Sequence, residues 1–140
     1  MSFYGAGQFF VPVETPLPGI TTPRELYAAL LECWGPETCA PRMRAQWKVE
    51  NPTLGQCSVT AFLAQDLFGG RVYGIPLPDG GFHCYNVTQG KIFDLTSEQF
   101  GSVRLSYAGN SIQYREEHFA KQEKYERYLV LKKRLFELRK

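Results

Sequence analysis

The stretch Asn51-Pro52-Thr53-Leu54-Gly55-Gln56-Cys57-Ser58-Val59-Thr60 decides how this chain reads. A polar approach containing proline and glycine ends in a cysteine, and apolar residues at helical spacing follow at Val59, Phe62, Leu63 and Leu67. The pattern predicts a helix over about 56–68 that stops at Gly69-Gly70, with Cys57 in its first turn. The first N–H groups of a helix have no intrahelical acceptor, and the helix dipole places partial positive charge there. A thiol at that point moves toward thiolate, the form that attacks a carbonyl carbon. The same N–H groups can receive the oxyanion that attack creates. A cysteine at such a place can equally be a small core residue, so the weight falls on what surrounds it.

Downstream come three strand-like runs, Arg71–Leu77, Phe82–Val87 and Lys91–Leu95. The turns Pro78-Asp79-Gly80-Gly81 and Thr88-Gln89-Gly90 separate them, and a three-stranded antiparallel meander is expected. Thr96-Ser97-Glu98-Gln99 has the form of a capping box and opens a short helix. A loop around Gly109-Asn110 leads to a last helix over about 118–138, with Tyr128, Leu131, Leu135 and Leu138 on one stripe. Upstream, Gly5, Gly7, Pro12, Pro16, Pro18 and Gly19 exclude a helix over residues 1–21, which read as an extended N-terminal arm. Residues 22–140 then form a single α+β domain. Its first helix opens at Thr22-Pro23-Arg24-Glu25, carries an apolar face of Leu26, Ala29, Leu30 and Cys33, and ends at Gly35-Pro36.

A chain of 140 residues buries about two-thirds of its unfolded surface as one domain. An apolar content of 44%, a charged content of 21% and a net charge of +2 describe a globular protein without a nucleic-acid footprint. Residues 115–140 hold nine basic and five acidic side chains, interleaved as on a solvated helix face rather than as a phosphate-binding stripe. No apolar run reaches membrane-spanning length and the N-terminus lacks the basic start of a signal peptide, so the expected location is the cytoplasm. The four cysteines, 33, 39, 57 and 84, form no C-x-x-C pair. In a reducing compartment Cys33 and Cys39 are expected to stay unpaired. No phosphate-cradling glycine loop is present, and no cofactor is implied.

His83 on the second strand and Asp94 on the third complete a chemical set with Cys57. Alternation puts His83 and Tyr85 on one face, with Phe82, Cys84 and Asn86 on the other. A tight turn centred on Gln89-Gly90 sets Tyr85 opposite Asp94 and His83 opposite Thr96, leaving His83 and Asp94 as diagonal neighbours on one face. A turn centred one residue earlier sets them directly opposite. In either register Asp94 can hold one ring nitrogen as N–H while the other takes the thiol proton. For the oxyanion, the backbone N–H of Cys57 is the first donor. Gln56, next to the cysteine, and Asn51, six residues before it, are side-chain candidates, although residues there often serve as caps. Tyr85 is a candidate for the substrate wall. His118 reads as a surface histidine.

These blocks also resemble a family. N-P-x-x-G-Q-C (51–57), G-x-H-x-Y-N (81–86) and D-L-T-x-x-Q-F (94–100) are similar to the YunG-like proteins, small uncharacterised bacterial proteins. The resemblance spans roughly residues 33–135. It implies a papain-like or transglutaminase-like domain with Cys57, His83 and Asp94 at the matching positions, and it supplies no substrate. An aromatic residue is usual in that family where this chain has Cys84, which argues against Cys84 as nucleophile or ligand.

Three functions follow as expectations. The first is a cysteine-dependent acyl-transfer enzyme (peptidase, amidase, deamidase or transglutaminase-like) acting on a peptide, protein or small amide. Cys57 is its nucleophile, His83 its base and then acid, and Asp94 the orienting group. The second is a non-catalytic interaction domain of the same fold, docking a partner along the basic C-terminal helix. The third is a metal-binding protein using Cys57, His83 and Asp94 as ligands.

Overall fold

Apolar spacing after Cys57 builds helix α2 (Cys57–Phe68), in which Val59, Phe62, Leu63 and Leu67 are all buried. The helix ends at Gly69, whose φ of 73° lets its N–H turn back to the Gln65 carbonyl. In this computed structural model, which describes residues 2–139, α2 lies against a four-stranded antiparallel sheet. The strands are β1 (Arg71–Pro76), β2 (Phe82–Thr88), β3 (Lys91–Phe93) and β4 (Ser111–Gln113), in the order β3-β2-β1-β4.

The turn between β2 and β3 fixes the register on which the site depends. Gln89 and Gly90 have φ of 54° and 71°, so both central residues are left-handed, the conformation whose twist matches a two-residue hairpin. Thr88 pairs with Lys91, Val87 with Ile92 and Asn86 with Phe93. Continued along the hairpin, this register sets Tyr85 opposite Asp94, the first of the two expected arrangements. Cys84 and Asn86 face α2: Cys84 packs with Ala61, Phe62 and Val72, and the Asn86 side-chain amide donates to the Ala61 carbonyl at 2.8 Å.

The sheet differs from the expected meander by its fourth strand. Ser111–Gln113 pairs with the free edge of β1, matching Val72 with Gln113 and Tyr73 with Ile112. Three residues are too few to show alternation, so the sequence shows only a loop there. The expected helix over 118–138 is two helices, α3 (Arg115–Phe119) and α4 (Gln122–Leu138), broken at Lys121, which is extended with φ −80° and ψ 106°. The break lets His118 and Phe119 lie against Phe62, while Tyr128, Leu131 and Leu135 of α4 enter the main core. Leu138, expected on that stripe, is exposed. Strand β3 closes at Phe93 rather than Leu95, and on its outer edge the Asp94 N–H donates to the Tyr4 carbonyl at 2.9 Å.

Helix α1 (Pro23–Leu30) opens as expected, with the Glu25 carboxylate accepting from the Thr22 N–H at 3.0 Å and Leu26, Ala29 and Leu30 buried, but it stops at Leu30, before Cys33 and the expected end at Gly35-Pro36. The segment before it is irregular, with turns at residues 5–7 and 18–19, and it also supplies core. Phe3, Phe10, Leu17 and Ile20 are buried in the same cluster as Leu26, Leu63, Phe93 and Leu131. Among the described residues, no helix is long and apolar enough to cross a membrane.

Candidate active site

Cys57 is the first residue of α2, with Gln56 at the N-cap. Gly55 makes this entry possible: its φ is 71°, and a Cβ there would meet the Cys39 sulfur at 2.5 Å. Its N–H donates to the Gln99 side chain at 3.2 Å and its carbonyl accepts from Ala40, which ties the approach loop on two sides. The thiol is half-buried, and its Sγ lies 3.7 Å from the Phe82 carbonyl at the start of β2.

His83 is fully buried, and its Nε2 meets Asp94 Oδ2 at 2.6 Å. The edge of its ring faces Phe100, with ring centres 4.7 Å apart. Its Nδ1 has no hydrogen-bond partner. An orphaned buried ring nitrogen is uncommon, and here it is the atom left for Cys57. Asp94 is held from several sides. Oδ2 also accepts from the Tyr107 hydroxyl at 2.8 Å, while Oδ1 faces the Thr96 N–H at 3.3 Å. Tyr107 stacks on Tyr4, and its carbonyl accepts from the Tyr85 hydroxyl at 3.2 Å.

The electrostatics follow from these contacts. Burial opposes charge on His83, but Asp94 and Cys57 outweigh it and raise the imidazole pKa to about 10. The Cys57 thiol is held well below the ordinary thiol range. Hydrogen bonding from the Cys84 side chain contributes most; burial opposes it, and His83 adds to the lowering. Cys84 moves the opposite way: its contact with the Cys57 sulfur and its burial keep it a thiol. The Cys57 thiol is thus shifted down and the imidazole up, with a carboxylate against the far side of the ring.

Cys57 and His83 open onto a cleft of about 580 Å³. A larger cleft, about 840 Å³, lies between Tyr4 and the 101–108 loop; it reaches Tyr107 and not Cys57. The three side chains expected to bind oxyanion or substrate lie outside the Cys57 cleft. Gln56 is buried and donates to the Gly35 carbonyl at 3.1 Å. Asn51 sits in a bridge with Lys48. Tyr85 is buried under Tyr107 and takes a hydrogen bond from Asn110 at 3.0 Å. The backbone N–H of Cys57, in the first turn of α2, has no intrahelical acceptor.

Two contributors had no signal in the sequence. Tyr107 reaches Asp94 from an irregular loop, and Lys124 reaches the cleft from the first turn of α4. His118, expected at the surface, is half-buried, with Nε2 at 2.9 Å from Gln113 Oε1 and Nδ1 at 2.9 Å from Lys124 Nζ. All four cysteines are free, and burial raises Cys33 to about 11. Among the described residues no group of three or more His, Cys, Asp or Glu is placed to hold a metal ion.

A family model described as "YunG protein" matches residues 22–140. The chain belongs to the YunG family. The match covers the helix that carries Cys57, the whole sheet and both C-terminal helices, so His83 and Asp94 fall inside it. The chain is also similar to the protein named "Uncharacterized protein YunG" of Bacillus subtilis (strain 168), with 45% identity over 56 residues. That alignment covers 40% of this chain and 48% of the relative, so the chain spans about half the length of that family member. No solved structure matches the chain.

Proposed function

We propose that this protein is a cysteine-dependent acyl-transfer enzyme of papain-like or transglutaminase-like type, acting on an amide through a Cys57 thioester. One observation carries the reading: His83 gives Nε2 to Asp94 at 2.6 Å and leaves a buried Nδ1 without a partner beside a thiol of lowered pKa. A purely structural histidine buried this deeply would satisfy both nitrogens. The chain order of helix-start cysteine, strand histidine and an aspartate just past the next strand supports the same reading.

The Cys57 thiolate attacks the substrate carbonyl carbon, forming the C–S bond and moving the carbonyl electrons onto oxygen. The N–H at the start of α2 receives that oxyanion. As the tetrahedral centre collapses the C–N bond breaks, and the His83 imidazolium gives its Nδ1 proton to the leaving amine. His83, now neutral, takes a proton from water or from an acceptor amine, which attacks the thioester. The C–S bond breaks, the acyl product leaves, and Cys57 and His83 return to the ion pair. Asp94 keeps its charge throughout and fixes the ring through Nε2–H. Four free cysteines suit a reducing compartment, and we place the reaction in the cytoplasm.

The test is the rate of Cys57 alkylation by iodoacetamide against pH, in wild type and His83→Ala. Wild-type Cys57 should react well below the pH of an ordinary thiol, about 8.5, and His83→Ala should move that transition up by about one unit or more. Alkylation that tracks an ordinary thiol in both proteins, or an inert Cys57, would overturn the proposal.

A further inference from the structure

The charges around the reactive cleft do not balance. Four cations line it, Arg42, Lys121, Lys124 and Arg127, against two acids, Asp79 and Glu123. Both acids are already engaged, Asp79 by Arg42 and Glu123 by Arg127, and Arg127 is tied further to the Thr38 carbonyl at 3.1 Å. Lys121 and Lys124 have no acidic partner among the described residues. The Cys57–His83 ion pair adds no net charge, and Asp94 stands behind His83, outside the lining.

Lys124 is the more informative of the two. It is half-buried, and its Nζ makes one hydrogen bond, to His118 Nδ1 at 2.9 Å. His118 can accept there only as the neutral ring, so it offers the ammonium no negative charge. Two N–H donors of Lys124 remain uncommitted at the wall that also holds Cys57. Burial lowers the Lys124 pKa because its charge is poorly solvated, and an arriving anion would relieve that. Lys121, exposed at the N-cap of α4, lines the same cleft.

We propose that the cleft takes an acyl substrate carrying a carboxylate, held by Lys121 and Lys124 while its carbonyl carbon meets Cys57. This rests on the acyl-transfer reading and adds to it a class of substrate: amides whose acyl part carries negative charge. Lys121 and Lys124 would then set specificity, because a neutral substrate leaves both ammonium groups facing an empty wall.

Two alkylating probes of similar chemistry and different charge test this on the whole chain. Iodoacetate and iodoacetamide both give a C–S bond at Cys57 with loss of iodide, and peptide mass spectrometry separates Cys57 from the three buried thiols. The ratio of their rate constants cancels any change in thiolate fraction. Iodoacetate should be favoured at folded Cys57 relative to the urea-unfolded chain, with a preference that fades in high salt. Lys124→Gln should lower the ratio by roughly fivefold, the size of one ion pair at a partly exposed site. Lys121→Gln, at an exposed position where folding is not at stake, should lower it less, and Lys124→Arg should restore it. A ratio equal to that of the unfolded chain and unmoved by either Gln variant overturns the carboxylate proposal and leaves the nucleophile standing. Inertness of Cys57 to both reagents overturns the acyl-transfer reading and this inference with it.

Discussion

The chain has two histidines, and the structure handles them in opposite ways. His83 on β2 has its pKa raised to about 10, while His118 on α3 has its pKa lowered to about 4. Burial disfavours the charged ring in both. The neighbours decide the outcome. A carboxylate faces Nε2 of His83, whereas an ammonium faces Nδ1 of His118. One ring is built to hold a proton next to a thiol, and the other is held neutral as a link between Gln113 and Lys124. Burial alone therefore does not set the direction in which a histidine shifts in this fold: for His83 the hydrogen-bonded partner reverses it, and for His118 the partner adds to it.

The strongest way to break the comparison is to remove the acid. Asp94→Ala strands a buried imidazolium and should cost about 3–5 kcal/mol in denaturant unfolding. Asp94→Asn keeps the shape and removes the charge, so the His83 pKa should fall by about 1–3 units in an NMR titration. Stability against pH gives the same test with a definite sign. A raised histidine contributes fully below its unfolded value, about 6.5, and loses that contribution as pH climbs through about 10. A depressed thiol contributes with the opposite pH dependence, so the measurement belongs in a Cys57→Ser background. There the parent should lose stability as pH rises above about 6.5, over a window that ends below the wild-type limit because the Cys57 contribution is gone, and adding Asp94→Asn should flatten the slope. A slope that Asp94→Asn leaves unchanged would mean another group charges His83.

The pairing of His83 with Asp94 was legible because a two-residue turn carries its register along both strands. Gln89-Gly90 is such a turn, and side-chain direction follows from it by alternation. Gln56 and Asn51 had no such guide. Both belong to an irregular approach, where direction depends on what the loop folds against, and Gln56 turns inward to Gly35. The break between α3 and α4 falls at Ala120-Lys121, where neither proline nor glycine marks it, so helical periodicity runs straight through. Tyr107 and Lys124 reach the site from separate elements, and only the tertiary fold shows that they meet it.

Tyr107 offers a smaller perturbation on the His83 side. Its hydroxyl donates to Oδ2 of Asp94, the oxygen that His83 uses. Tyr107→Phe should cost about 1.5–3 kcal/mol, as for a hydrogen bond to a charged group. It should also raise the His83 pKa further, since the carboxylate loses a competing donor and becomes the stronger base. A tyrosine that only filled space would change stability and leave the titration of His83 alone. An unmoved His83 in Tyr107→Phe would thus remove Tyr107 from the positioning of the acid.

The smallest effect belongs to His118 and sharpens the comparison from the other side. Partial burial, and then the charge on Lys124, hold its ring neutral. A depressed histidine contributes stability above its unfolded pKa, about 6.5, and that contribution is lost as pH falls toward 4. Because the ring is only half-buried, solvent screening reduces the contribution to on the order of 1 kcal/mol. Between pH 7 and pH 4.5 wild type should therefore lose about that much more unfolding free energy than His118→Gln. Lys124→Gln should move the His118 titration up toward 6.5, because the ring then accepts from an uncharged amide. If the His118 titration stays near 4 in Lys124→Gln, desolvation alone sets it. The contrast between the two rings would then lie in how deeply each is buried, and the charge of the partner would explain only His83.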